Sequence, residues 1–77
     1  MIIRFHFSNG STLDAHPAYL LPSFPESPLD AAYRVRARMD EVRKESKLLV
    51  VLDADRDNRP NLVNPEHVMR VEVIEQS

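Results

Sequence analysis

KLLVVLDADRDNRPNLVNPEHVMRVEVIE, residues 47 to 75, is the stretch whose reading decides the fold. An unbroken apolar run, Leu48-Leu49-Val50-Val51-Leu52, enters an acidic turn bearing Asp53, Asp55 and Asp57. The chain then returns through Val63-Asn64-Pro65-Glu66-His67 into an alternating segment, Val68 to Ile74. This reads as two core strands joined by a solvated loop, and so as a sheet. A short extra strand over 61–64 would make this half of the chain barrel-like.

Upstream, Ile3, Phe5 and Phe7 alternate with Arg4 and His6, Ser8-Asn9-Gly10-Ser11 supplies turn residues, and Leu13 and Ala15 alternate with Thr12 and Asp14. A two-residue Asn9-Gly10 loop would set Phe5 opposite Asp14 and mix apolar with polar on both faces. A three-residue loop, Ser8-Asn9-Gly10 with a left-handed Gly10, instead pairs Phe5 with Leu13 and Ile3 with Ala15. The other face then pairs Arg4 with Asp14 and His6 with Thr12. The sequence therefore predicts a bulged β-hairpin.

The segment from His16 to Pro28 holds four prolines, with Tyr19, Leu20, Leu21 and Phe24 among them. Missing donors and extended predecessors make this an ordered connection rather than an element, with apolar side chains directed at the core or another subunit. Ser27-Pro28-Leu29-Asp30 then opens a helix: Ser27 caps it, Pro28 takes its first position, and Asp30 meets free backbone N–H groups. The helix is expected to run to about Ser46. Ala31, Ala32, Val35, Met39 and Val42 form its core stripe, while Leu29, Tyr33 and Ala37 recur on a roughly opposite arc. A helix lying on one sheet needs only the first stripe. The second marks a candidate oligomer interface, anchored by Tyr33 and with Tyr19 and Phe24 as neighbours. The cations Arg34, Arg36, Arg38, Arg43, Lys44 and Lys47 are interleaved with Asp40, Glu41 and Glu45. Spacings such as Asp40 to Lys44 read as a solvated face.

Composition bounds the rest. Seventy-seven residues make one domain, residues 1–77, and so short a chain withdraws only about 60% of its unfolded surface from water. A second subunit would help. Without cysteine there are no disulfide staples, thiolate zinc sites or thiol nucleophiles. Arg4 and His6 interrupt the N-terminal apolar residues, and no stretch approaches the roughly 20 apolar residues of a membrane span, so the expectation is a soluble, cytoplasmic protein without membrane partners. A net charge of -2 argues against nonspecific binding to polyanions. Eight of the ten cations are Arg, a usage that suggests a GC-rich genome such as that of an actinobacterium or its phages.

Chemistry-bearing patterns are few. Asp53, Asp55 and Asp57 match the first three ligand positions of an EF-hand calcium loop, but the glycine required at its sixth position is Asn58 and the glutamate at its twelfth is Asn64. His6, His16 and His67 lack a second ligand at metal-binding spacing. Gly10 is the only glycine, which removes phosphate-cradling loops and nucleophile elbows. No catalytic residue, metal or cofactor is expected, and the chain reads as a non-enzyme. Nucleic acid is the lesser candidate partner: Arg4, His6 and Arg70 could contact RNA or DNA beside an exposed sheet face, although the alternation sends Phe5 and Phe7 to the core.

Asn61-Leu62-Val63-Asn64-Pro65-Glu66-His67-Val68-Met69-Arg70-Val71-Glu72-Val73 resembles the closing turn and strand of small SH3-like β-barrel proteins. It is also similar to the ends of short uncharacterised proteins of actinobacteria and their phages. The resemblance implies a barrel-closing strand and a phage accessory role exercised through contacts with a host protein or with itself. It carries over no functional residue, and the long helix departs from a minimal barrel. The fold expected is α+β, order β-β-α-β-β, a small antiparallel sheet with one long helix. The function expected is a noncatalytic, self-associating interaction module, a dimer or closed ring, with a small RNA- or DNA-binding domain as the alternative.

Overall fold

The computed structural model describes residues 1–18, 20–21 and 25–75. The chain forms β1 (Ile2–Phe7), β2 (Thr12–His16), helix α1 (Pro28–Lys44), β3 (Leu49–Asp53), β4 (Arg59–Val63), a 3-10 turn at Pro65–His67, and β5 (Val68–Ile74). One sheet of order β4-β3-β2-β1-β5 results, antiparallel at every pairing. This is the α+β fold expected, with the short strand near residue 61 as a fifth member beginning at Arg59. The barrel does not close: β4 and β5 remain edges.

The sheet is nonetheless strongly curled. Flat, it would hold β4 and β5 about 19 Å apart, four interstrand spacings. The chain between Val63 and Val68 reaches about 18 Å only when fully extended, and it spends part of that length on a 3-10 turn. Curling gives the sheet a concave inward face and a convex outward one.

Hairpin β1–β2 adopts the bulged register. Ile3 lies opposite Ala15, Arg4 opposite Asp14, Phe5 opposite Leu13 and His6 opposite Thr12. The Gly10 N–H donates to the Phe7 carbonyl at 3.0 Å, and the Phe7 N–H to the Ser11 carbonyl at 2.9 Å. Gly10 sits at φ +89, where a side chain is strained. Asn9 Oδ1 fixes the turn by accepting from the Ser11 N–H at 3.0 Å.

Helix α1 begins as read. Ser27 Oγ accepts from the Asp30 N–H at 3.1 Å, and the Asp30 carboxylate accepts from the Glu26 N–H at 3.0 Å. That backbone donor, then Arg34, hold the Asp30 carboxyl below its ordinary range. The helix ends at Lys44 rather than near Ser46, because Ser46 turns left-handed at φ 54. The Lys47 N–H then reaches back to the Val42 carbonyl and the Ser46 N–H to that of Arg43, both at 3.0 Å, a Schellman closure. Asp40 pairs with Arg43 at 3.4 Å, not with Lys44 as its spacing suggested. Arg43 also donates to the Pro65 carbonyl at 2.9 Å, tying the helix end to the 3-10 turn.

The core fills the concave face. Ile3, Phe5 and Ala15 from the first hairpin and Leu49, Val51 and Val63 from the second meet Ala31, Val35, Met39 and Val42 of α1. Leu20 and Leu21 of the proline-rich connection belong to the same cluster, so these two side chains pack on the core. Ala32, expected in the helix stripe, is half-buried at its margin.

Candidate interaction surfaces

Strand alternation gives the convex face two unlike halves. On β1, β2 and β5 the outward positions are polar except for the terminal pair Ile2 and Ile74. Arg4 grips Asp14 directly across the strand pair, Nε to Oδ1 at 2.7 Å and Nη2 to Oδ2 at 3.0 Å. This bidentate contact raises the Arg4 guanidinium pKa and lowers that of the Asp14 carboxyl. One strand further, His6 Nε2 lies 3.1 Å from Glu72 Oε1 and 3.2 Å from Arg70 Nη2. A single ring nitrogen cannot donate to the carboxylate and accept from the guanidinium at once, so the tautomer or charge of His6 selects its partner. Arg70 also lies 3.7 Å from Glu72.

The candidate nucleic-acid residues are thus neighbours, as the sequence suggested, but their charge is answered within the protein. Arg4 is matched by Asp14, and Arg70 with His6 by Glu72. A shallow cleft of about 280 Å³ beside them is lined by His6, Phe7, Gly10, Met69 and Arg70, with Met69 largely exposed. It presents one cation whose nearest carboxylate is already close. Among the described residues, Phe5 is fully buried beneath this face, and Phe7, which lines the cleft, is half-buried and packs against the core.

On β3 and β4 the outward positions are apolar. Val50 lies opposite Leu62 and Leu52 opposite Pro60, and Leu48 stands just before the strand, two residues from Val50. Val50 is 45% exposed, Leu48 47% and Leu62 66%. Sequence reasoning passed over this surface. The signal was available in Leu48 to Leu52, where both parities of a strand are apolar; such a run suits burial on two faces, and the fold buries one.

The second helix stripe is also solvent-facing. Leu29 is 66% exposed, Tyr33 64%, and Ala37 is exposed beside them. Tyr19 and Phe24, its proposed neighbours, lie outside the described residues.

The acidic turn has a structural use. Asp53 is buried, its Oδ1 accepting from the Asp55 N–H at 2.9 Å and its carbonyl from the Asn58 N–H at 3.1 Å. Asp57 and Asn58 complete the reversal at φ 51 and 56. The Ala54 N–H donates to the Asp14 carbonyl at 2.9 Å, pinning the turn to β2. Among the described residues no three His, Cys, Asp or Glu side chains group as a metal site would need. No helix among them is long and apolar enough to cross a membrane. In comparisons of the chain with protein-family models, curated proteins and solved structures, none matched.

Proposed function

We propose that this chain is a noncatalytic, cytoplasmic, self-associating interaction module, of the kind a bacteriophage uses as an accessory protein in contact with its own copies or with a host protein. One observation carries the reading: after folding, the helix still presents Leu29 and Tyr33 to water at about two-thirds exposure each. Single exposed apolar residues are ordinary. A large aromatic and a leucine one turn apart, with Ala37 completing the row, make a stripe that a lone monomer does not need. Cysteine-free and small, the chain gains stability from any partner that covers it.

The engagement of Arg4 and Arg70 by Asp14 and Glu72 counts against the nucleic-acid reading, since a phosphate would have to displace a carboxylate already in place. Light scattering on a chromatography column at micromolar concentration tests the proposal. An oligomer mass is expected, and Tyr33→Glu should lower it while the far-ultraviolet circular dichroism stays unchanged. A wild-type monomer would sink the reading.

A further inference from the structure

Two apolar surfaces remain uncovered on one small chain, a helix ridge and a sheet face. We propose that they are the two sides of a single contact: the Leu29–Tyr33–Ala37 ridge of one copy lies on the outward face of the β3–β4 hairpin, at Leu48, Val50 and Leu62, of the next. The inference rests on the self-association reading and names the surfaces that meet.

Placement and charge both favour unlike surfaces meeting. The helix covers the inward face of the sheet, where Val35, Met39 and Val42 share one core with Leu49, Val51 and Val63. The ridge and the outward face of the hairpin are therefore the opposite sides of two packed layers, and each is left without a cover. Over Pro28–Lys44, Arg34, Arg36, Arg38, Arg43 and Lys44 stand against Asp30, Asp40 and Glu41, five minus three, a net charge of +2. Over Leu49–Val63 Asp53 is buried, and the exposed charges Asp55 and Asp57 stand against Arg56 and Arg59, two minus two, a net charge of zero. Pairing helix with helix would set like charge on like. Pairing helix with hairpin avoids that repulsion and brings two carboxylates to the helix's cations. The cations Arg36 and Lys44 and the carboxylates of Asp55 and Asp57 form no ion pair among the described residues and are available to one another across such a contact.

Because the ridge and the hairpin's outward face point away from each other across the two packed layers, one partner cannot cover both, and the contact is heterologous. It leaves one of each surface free at the ends of any chain of copies, and therefore closes into a ring or extends. The symmetric dimer is then not the expected state.

Mixing two singly blocked variants tests this. Tyr33→Glu blocks the ridge and Leu62→Glu the hairpin face, both at exposed positions. Each alone should elute as a monomer. An equimolar mixture should give a one-to-one dimer, because the intact hairpin of the first accepts the intact helix of the second, and that dimer should grow no further. If both variants are monomeric and their mixture is too, or if only one of them loses assembly, the two surfaces do not meet and the inference falls while self-association stands. Both variants remaining assembled has the same meaning. A monomeric wild type overturns the inference together with the reading beneath it. Circular dichroism checks that each variant is folded, and Leu62→Ser replaces Leu62→Glu if the charged variant is not.

Discussion

The two halves of the convex face obey the same alternation and reach opposite results. On β1, β2 and β5 the inward positions carry Ile3, Phe5, Ala15, Val71 and Val73, and the outward ones, beyond the terminal pair Ile2 and Ile74, carry Arg4, Asp14, His6, Arg70 and Glu72. Each outward charge there has a partner within 3.7 Å. On β3 and β4 the inward side is equally apolar at Leu49, Val51 and Val63, yet the outward side is apolar too. The polar half is complete as a monomer. The apolar half holds surface that folding alone leaves in water, and this asymmetry locates the candidate contact.

Depth offers the largest test of that contrast. Phe5 is fully buried directly beneath the polar half, so Phe5→Ala should destabilise the monomer by about 3–5 kcal/mol in chemical denaturation. Leu62, although apolar, lies outward, and Leu62→Thr should leave monomer stability within about 0.5 kcal/mol. A comparable loss at Leu62 would mean that the outward face is covered within the monomer.

The joints of the two halves should respond in opposite directions. The polar half turns at Gly10, φ +89, with nothing within 4 Å of where a Cβ would stand, so Gly10→Val should cost about 1–2 kcal/mol through backbone strain alone. The helix passes into the apolar half at Ser46, φ 54, a left-handed position occupied by a residue with a Cβ. Ser46→Gly should raise stability by about 0.5–1 kcal/mol, read as a higher denaturation midpoint with an unchanged slope. Were it to lower the midpoint, the Schellman closure would be misassigned.

The smallest effect is a matter of pH. In the folded chain the Asp14 carboxyl is held below its ordinary value of 3.8, first by its hydrogen bond to Arg4. Its contribution to stability is thus fully present above that value and is lost as pH falls through the lowered one. Asp14→Asn removes this dependence. The gap between wild type and variant should narrow as the solution is acidified below about pH 4, the ordinary carboxylate value. A gap independent of pH would show that the pair acts by shape rather than by charge.

Much of this architecture was legible because local and global signals agree. The pairing of Phe5 with Leu13 follows from matching apolar parities, and the start of α1 follows from Ser27, Pro28 and Asp30. Where the sequence misled, a local signal was outweighed or overlooked. Ser46 looked helical because nothing in a serine announces a left-handed turn, whereas a glycine would have. Strand β4 opens at Arg59-Pro60, a proline that reads as loop and is tolerated on an edge. The outward face of β3–β4 is hard to read from Leu48 to Leu52 because a run of five apolar residues suits a strand buried on both faces. Arg4, His6 and Arg70 do stand on one face, and the pairing of Arg4 with Asp14 across the strands, which follows from the register, implies that the charge of Arg4 is engaged.

Amide chemical shifts followed on dilution from millimolar to low micromolar concentration test the central claim, that the apolar half and the helix stripe associate while the polar half does not. The account predicts concentration-dependent shifts at Leu29, Tyr33 and Ala37 and at Leu48, Val50 and Leu62, with Arg4, His6 and Arg70 unmoved. Shifts confined to Arg4, His6 and Arg70, or a spectrum that does not change with concentration, would contradict it.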